Sequence, residues 1–274
     1  MELDLEISKA ITTKVGLPLK FVINEFHIFN VLWQVADFAT KNNKKLIFKG
    51  GTALSKVYLG KAQRFSEDID FDLDEDIEAV MQFSKELAQN IKGYTITEFR
   101  KVYKTIQFYC KYNSPLGEKD HVRVDIASKK IIASQAPITE YATSEFTNAS
   151  VSGFYVYTIE DLIARKMNAL CDRTEGKDVY DVYMGLSLCS SMAEAIAQML
   201  KSEDKKETTK EFLQKTIEHV KKADYKKLRN LTNPFIPIAY RPKNWLEVKN
   251  DLVIKLENLI QILQKKSDRS IQNH

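Results

Sequence analysis

The sequence predicts an α+β fold, in which a mixed sheet with flanking helices is followed by a helical C-terminal half. Between about residues 46 and 157, β-rich runs alternate with glycine turns and short helical stretches, whereas from about residue 158 the apolar residues recur at helical spacing. We therefore expect two domains: a helical lead-in with an α/β core over residues 1–157, and a helical domain over residues 158–274.

A helix and a short strand open the predicted core. Residues 20–41 place apolar side chains at helical spacing and predict an amphipathic helix. The run KKLIFKGG (44–51) predicts a buried strand that stops at a glycine pair. The next nine residues, TALSKVYLG (52–60), predict a short helix with Thr52 near its N-cap and Gly60 at its end.

The remaining core elements are an acidic strand, a helix and three further strands. In DIDFDLD (68–74) aspartates alternate with apolar residues, which is the pattern of a strand with one buried face. Residues 76–93 then predict a helix that ends at Gly93. Three β-rich runs follow, with a turn at NSPLG between the second and the third: residues 94–102, 104–112 and 121–128.

The C-terminal half is predicted to be almost entirely helical. Its first helix covers TIEDLIARKMNALCD (158–172), and further helical runs lie near residues 178–200, 207–222 and 244–266. Three prolines in NPFIPIAYRP (233–242) interrupt this pattern, so we expect this segment to be an ordered loop or a strap that closes the domain.

Composition argues against several classes of protein. The chain has 44% hydrophobic and 28% charged residues, without a run of ~18 apolar residues that could cross a membrane. The first ten residues, MELDLEISKA, lack the basic-then-apolar order of a signal peptide, so a cytoplasmic location is expected. Three cysteines without a CxxC pair and four scattered histidines argue against a disulfide framework, a zinc site and a Ser-His-Asp triad.

Charge is segregated along the chain, although the formal net charge is only +4. Residues 67–78 are strongly acidic, whereas lysine clusters occupy residues 201–230. An acidic site with basic flanks suits a metal-dependent enzyme that acts on a polyanion. For the basic flank alone, a solvated lysine-rich surface is the simpler interpretation.

Two glycines and three aspartates form the candidate site. Gly50 and Gly51 follow a strand and precede a helix, where exposed main-chain N–H groups can bind an anion, although a tight turn without a ligand is equally compatible. Asp68 and Asp70 point to the same side of their strand and can hold one or two Mg²⁺ ions; the alternative is a solvated edge. Asp125, on a neighbouring strand, would complete a three-carboxylate cluster for two metals.

Lys166 lies in the middle of an apolar helical stripe. Lysine is rarely buried at such a position unless it is paired, so we expect it to point inward to a carboxylate or a phosphate rather than outward to solvent. Asp178 and Asp181 follow on the next helix and could hold Lys166 or Arg173. From the sequence, Lys166→Met is expected to keep the helix packed and could even stabilise the protein.

Four blocks of sequence, in this order, resemble the motifs of the AbiEii-type nucleotidyltransferase toxins. They are FKGGTALSK with RFSEDIDFDL, VRVDIAS, IARKMNALCDR, and KDVYDVY, and together they span about residues 46–185. This family includes the MenT-like toxins and belongs to the DNA polymerase β-like nucleotidyltransferase superfamily. The resemblance implies a polymerase β-like core whose active site is completed by the helical C-terminal half.

The resemblance also implies roles for individual residues. The glycine turn would face the nucleotide phosphates, the aspartates would bind metal, and the lysine and a later aspartate would be needed for activity. The residues at the matching positions are Gly50 and Gly51, with Thr52 beside them, for the nucleotide; Asp68, Asp70 and Asp125 for metal; and Lys166 and Asp178 for activity, with Lys166 also binding the nucleotide.

The function implied by the resemblance is Mg²⁺-dependent transfer of a nucleoside monophosphate from an NTP to an acceptor hydroxyl, with two metal ions. The acceptor would be tRNA, and the protein would be the toxin of a toxin–antitoxin or abortive-infection pair with a cognate antitoxin as a partner. Two alternatives stay open: a nucleotidyltransferase that acts on a small molecule or a protein, and a non-catalytic domain that binds an NTP or a partner.

Overall fold

The computed structural model describes the main chain of residues 3–272 and the side chains of residues 3–265, and the chain forms two compact units. The first contains the residues up to Ile131, Ala136–Thr158 and Pro234–Arg241; the second contains Ile132–Gln135, Ile159–Asn233 and the residues from Pro242 onward. The main division between the units follows Thr158. Two short segments belong to a different unit from their neighbours in sequence: Ile132–Gln135 to the second and Pro234–Arg241 to the first. The sequence pattern does not show this.

Two helices open the first unit. The first, α1 (Leu5–Val15), begins at Asp4, whose carboxylate accepts hydrogen bonds from the main-chain N–H groups of Glu6 and Ile7. The second, α2 (Leu19–Lys41), agrees with the helix predicted there and buries side chains along much of its length. Because these side chains are mostly apolar, α2 supplies a large part of the core of the first unit.

A mixed sheet forms the centre of the first unit. Its strands and the short ribbon beside it are β1 (Ile47–Lys49), β2 (Asp68–Leu73), β3 (Thr95–Val102), β4 (Thr105–Asn113), β5 (Lys119–Ser128), β6 (Ile138–Thr139), β7 (Ala142–Thr143), β8 (Ser150–Val151) and β9 (Tyr155–Val156). Seven of them are ordered β3-β4-β5-β2-β1-β9-β6, and β7 pairs with β8 separately. The pairs β2–β5 and β1–β9 are parallel and the others are antiparallel, so the sheet is mixed, as predicted.

The acidic strand predicted from alternation is β2. Ile69, Phe71 and Leu73 are buried on one face of the sheet, and the aspartates between them lie on the other face. Helix α3 (Gly50–Ala53) precedes this strand, and α4 (Ile77–Asn90) follows it.

The short helix after the glycine pair differs from the prediction. One α-helical turn, α3, begins directly at Gly50, a π-helical turn covers Leu54–Tyr58, and a separate 3-10 turn covers Gly60–Ala62. The predicted N-cap, Thr52, lies inside α3, and its hydroxyl donates to the main-chain carbonyl of Asp68. A side chain bonded to the next strand cannot also cap its own helix, so the helix starts two residues earlier than predicted.

Helices make up most of the second unit, as predicted. They are α5 (Ile159–Arg173), α6 (Gly176–Gly185), α7 (Ala193–Ser202), α8 (Thr209–Lys222), α9 (Tyr225–Thr232) and α10 (Trp245–Gln272). The helical run expected near residues 178–200 is divided in two, because α6 ends at Gly185 and a 3-10 turn at Leu186–Leu188 follows before α7 begins.

The proline-rich segment after α9 belongs to the first unit from Pro234 to Arg241. Phe235 stacks on Phe21 of α2 with ring centroids 5.0 Å apart, and its carbonyl accepts a hydrogen bond from the N–H of Phe65. Arg241 donates to a carbonyl in the loop between α1 and α2. The segment is therefore an ordered strap on the first unit.

No single helix among residues 3–272 is long and apolar enough to cross a membrane. The helices α1 and α2 reach that length and apolarity only as a pair, and a bend of 116° separates them.

Candidate active site

The register of four neighbouring strands builds one row of polar side chains in the first unit. In the parallel pair β2–β5, Asp70 lies opposite Asp125, and in the antiparallel pair β1–β2, Lys49 lies opposite Asp70. On the far side, Gln107 of β4 lies opposite Asp125. Directly opposed positions of neighbouring strands share one face of the sheet, so the row Lys49–Asp70–Asp125–Gln107 crosses four strands.

A second cross-strand pair lies on the same face. Asp68 of β2 is opposite Arg123 of β5, and the Nη2 atom of Arg123 lies 2.5 Å from Oδ2 of Asp68. The Nε atom of Arg123 lies 3.5 Å from Oδ2 of Asp125. One guanidinium therefore contacts two of the three predicted metal-binding carboxylates and reduces the repulsion between them.

Asp70 is the carboxylate whose charge is least well compensated. Its pKa is raised from 3.8 to about 6, chiefly by burial and also by the charges of Asp125 and Asp68, against the attraction of Lys49. The main chain of Gly50, at a φ of +76°, contributes to this burial, since a Cβ there would lie 2.2 Å from Oδ2 of Asp70. Only glycine allows the turn to approach the carboxylate this closely.

Gln107 joins the candidate site through contacts that the sequence did not reveal. Its Nε2 atom donates to both oxygens of Asp125, at 2.9 and 3.2 Å, and its Oε1 atom accepts from Nε of Arg100 at 2.9 Å. The only signal in the sequence is that Gln107 lies on the polar face of an alternating strand. That face carries other polar residues as well, and only the pairing of β4 with β5 distinguishes Gln107 from them.

We expect Gln107→Met to lower nucleotide transfer about tenfold to a hundredfold, the usual effect of removing a group that orients a metal ligand. Methionine keeps the length of the side chain, so the sheet should stay intact. Transfer rate and melting temperature are measured together, with Gln82→Met on the exposed face of α4 as the control. Equal activity in the two variants would show that Gln107 does not position Asp125.

The other aspartates of the acidic run have structural roles. Asp72 is almost fully buried, and it accepts hydrogen bonds from Nζ of Lys49 and, at 2.7 Å, from the hydroxyl of Tyr157. Asp74 binds a main-chain N–H of a loop, and Asp76 caps α4. Alternation in the sequence does not by itself separate the acids of the site from these structural acids.

The residues predicted to face the nucleotide lie at the start of α3. Gly50 and Gly51 open this helix, so their main-chain N–H groups are at its N-terminal end. Thr52 is fully buried with its hydroxyl on the Asp68 carbonyl, so its side chain joins α3 to β2. Any contact of Thr52 with a nucleotide would have to use its main-chain N–H.

In the second unit, Lys166 points inward, as its place in the apolar stripe indicates. Its Nζ atom lies 3.2 Å from Oδ1 of Asp178 and 2.9 Å from Oδ2 of Asp181, and both carboxylates are fully buried on α6. Arg173 also binds Asp178 through two hydrogen bonds, at 2.7 and 3.1 Å. This group of four residues is the Lys166 cluster.

Asp178 stays ionised in the Lys166 cluster although it is buried. Burial would raise its pKa, but the hydrogen bonds from Arg173 and the charge of Lys166 outweigh that effect and hold the pKa below its ordinary value. The ionised carboxylate in turn anchors the ammonium of Lys166. Asp178 and Asp181 therefore hold the ammonium of Lys166 between two buried carboxylates.

The carboxylates of the first unit fit a divalent metal in their chemistry, because Mg²⁺ prefers carboxylate oxygens. Among the described residues, no three histidine, cysteine, aspartate or glutamate side chains converge in the geometry of a metal site. Arg123 instead binds Asp68 and Asp125, and Gln107 binds Asp125. A metal would be held by Asp68, Asp70 and Asp125 only after Arg123 releases Asp68 or Asp125.

The mixed sheet with its glycine turn and carboxylates, followed by a helical unit, is similar in fold to solved nucleotidyltransferases. The family described as the nucleotidyl transferase AbiEii toxin of type IV toxin–antitoxin systems matches residues 36–250. The chain therefore belongs to the AbiEii nucleotidyltransferase toxin family. The family inferred from the four sequence blocks is confirmed.

Solved structures agree with this fold. The chain is similar to MenT4, a nucleotidyltransferase toxin from Mycobacterium tuberculosis, with 15% identity and a TM-score of 0.63 over 99% of this chain and 98% of that one. It is also similar to JHP933 from Helicobacter pylori, with 18% identity and a TM-score of 0.59 over 93% of this chain and 99% of that one. No curated protein matches the chain in sequence. At these identities the structural likeness shows the fold alone.

Proposed function

We propose that the protein moves a nucleoside monophosphate from an NTP to a hydroxyl of an RNA acceptor, tRNA in particular, in a Mg²⁺-dependent reaction in the cytoplasm. The observation that carries this proposal is the strand register that sets Asp70 beside Asp125. Membership of the AbiEii family supports the toxin role, in which a cognate antitoxin would be the partner.

The glycine turn is the proposed site for the phosphates of the NTP. The main-chain N–H groups of Gly50 and Gly51 lie at the start of a helix, where donors and the helix dipole attract phosphate oxygens. Because Gly50 lies against Asp70, a phosphate held by the turn would lie next to the carboxylate row.

Asp68, Asp70 and Asp125 would hold Mg²⁺, with two ions expected for this type of transfer. When bound, the metal would supply the charge that aligns the acceptor oxygen with the α-phosphate and neutralises the departing pyrophosphate. The raised pKa of Asp70 reflects burial that outweighs the attraction of Lys49, so a bound metal would stabilise its ionised form. Arg123 would be displaced from at least one carboxylate and would be available to a phosphate oxygen.

Lys166 is the proposed second contact to the nucleotide. A lysine ammonium has three donors, and Asp178 and Asp181 account for two of them. We assign the third donor to a phosphate oxygen of the NTP. Because Asp178 and Asp181 already hold this ammonium, it would need little reorganisation to bind the charge that develops in the transition state.

The proposal is tested by incubating the purified protein with Mg²⁺, total tRNA and each of the four NTPs labelled at the α-phosphate. We expect label to enter RNA from at least one NTP, and to be absent when Mg²⁺ is chelated. Label in protein or in a small molecule, but not in RNA, would favour the alternative acceptors. Absence of transfer from every NTP, with NTP binding retained, would favour a non-catalytic domain.

A further inference from the structure

The second unit carries a cleft that the Lys166 cluster does not explain. Its volume is about 790 Å³, and its walls come from the start of α6, the end of α8 and helix α9. This volume lies within the usual range of ligand sites, ~300–1,000 Å³. Arg173 lies on the edge of the cleft and also binds Asp178, so the cleft adjoins the Lys166 cluster.

The lining of the cleft is predominantly basic. Four of its residues carry a positive charge, Arg173, Lys177, Lys222 and Lys227, against two acids, Glu175 and Asp224. The carboxylate of Asp224 caps α9 by accepting from two main-chain N–H groups, so its charge is already partly compensated. Lys222 and Lys227 are exposed and line the cleft at the end of α8 and the start of α9. The cleft therefore attracts anions.

The start of α6 adds main-chain donors to this charge. The helix has ten residues and begins at Gly176, and no side chain caps its N-terminus. A Cβ at Gly176 would lie 2.0 Å from Oγ1 of Thr232 and 2.7 Å from the carbonyl of Leu228. Glycine is thus required for α9 to pack against the positive end of α6.

Thr232 supplies an independent observation that points to a ligand. Its side chain is fully buried in the wall of the cleft beside Gly176, and its hydroxyl has no hydrogen-bond partner among the residues that the structure describes. Buried hydroxyl groups are normally paired, and an exception calls for an explanation such as a ligand or an ion. An anion bound in the cleft against this wall would provide the missing partner.

The lining also indicates which anion would bind. It contains no phenylalanine, tyrosine or tryptophan, its planar groups are His219 and Arg173, and the Arg173 guanidinium is already bound by Asp178. The excess of positive charge therefore favours a phosphate group over a base. We propose that this cleft binds a backbone phosphate of the acceptor RNA, independently of the sequence of that RNA; this inference rests on the proposed function. It assigns the contact to Lys222 and Lys227, whereas Lys226 lies outside the lining and Lys221 pairs with Glu257.

The test compares two double variants of the full-length protein. Lys222→Gln with Lys227→Gln removes two charges from the cleft, and Lys210→Gln with Lys226→Gln removes two exposed lysines from the same helices outside it. Binding of a fluorescein-labelled single-stranded oligoribonucleotide is followed by anisotropy without NTP, between about 50 and 200 mM salt. The cleft variant should bind on the order of tenfold more weakly at about 0.1 M salt, with a salt slope reduced by about 0.7, the value for one phosphate of a single strand.

The control variant should change both quantities much less. Inorganic phosphate at millimolar concentration should displace the oligoribonucleotide from the wild type and not from the cleft variant, and Thr232→Val should weaken this competition. Equal losses in the two double variants would overturn the proposal. Tight phosphate binding without any binding of RNA would also overturn it, because the cleft would then serve a free anion.

The binding assay and the transfer assay can fail separately. Cleft-dependent binding of RNA without transfer of label from any NTP would contradict the proposed function and leave the phosphate site standing. Transfer to RNA at the wild-type rate and affinity in the cleft variant would support the proposed function and contradict the phosphate site.

Discussion

Asp70→Asn should lower nucleotide transfer by on the order of a thousandfold and, at neutral pH without metal, should make the protein more stable. The loss of activity follows from the place of Asp70 in the middle of the carboxylate row, opposite Asp125 and against Gly50. A metal site supplies several kcal/mol of charge stabilisation to the transition state, and each ~1.4 kcal/mol is a factor of ten in rate.

The gain in stability follows from the raised pKa of Asp70. Its carboxyl group holds a proton up to a pH of about 6 in the folded protein, against an ordinary value of 3.8. Folding is therefore favoured at low pH, and that contribution is lost as the pH rises towards 6, where the folded protein must carry a desolvated charge. Asparagine removes the charge, so the variant should gain about 1–2 kcal/mol over the wild type as the pH rises from about 4 to 6.

The measurement is urea unfolding in the presence of a chelator at several pH values between about 4 and 8. Asp72→Asn is a matched control, because Asp72 lies two residues away on the same strand. It binds Lys49 and Tyr157, so this variant should lose stability by about 1–3 kcal/mol. If Asp70→Asn is as destabilising as Asp72→Asn, or keeps full activity, Asp70 is a structural acid and the metal assignment is wrong.

Lys166→Met should lower transfer by on the order of a hundredfold or more, the effect of removing one charge-stabilising group from a transition state. It should also destabilise the protein by about 3 kcal/mol or more, because it removes a cation from two fully buried carboxylates, Asp178 and Asp181. The sequence alone suggests the opposite sign, since methionine suits an apolar stripe. The pairing seen in the structure reverses that expectation.

Two further variants separate the structural role of Lys166 from its role in catalysis. Lys166→Met combined with Asp181→Asn should recover part of the lost stability, since one buried negative charge is removed with its partner, but it should recover no transfer. Lys166→Arg keeps the charge but should restore activity only in part, because a forked guanidinium does not fit a site built around a point charge. Melting temperature and transfer are measured on the same preparations. Near-normal transfer in the stabilised double variant would leave Lys166 with a purely structural role.

The sequence by itself determined the main elements of the fold and the family. Alternation of apolar and acidic residues predicts β2, the glycine pair marks the junction between β1 and α3, and helical periodicity predicts the second unit. The position of Lys166 in an apolar stripe predicts its inward direction. Each of these predictions rests on residues that are close in sequence, within one helix or one strand. A single sequence displays such local periodicity directly.

The tertiary structure decided which residues meet. Asp70 and Asp72 have the same pattern in the sequence, yet one lies opposite Asp125 and the other is neutralised by Lys49. Gln107 joins the site only because β4 pairs with β5 in one register. Alternation with a period of two specifies which face of a strand is buried. It does not specify which strand lies beside it or in which register the two strands pair, so contacts between residues distant in sequence are set only when the sheet forms.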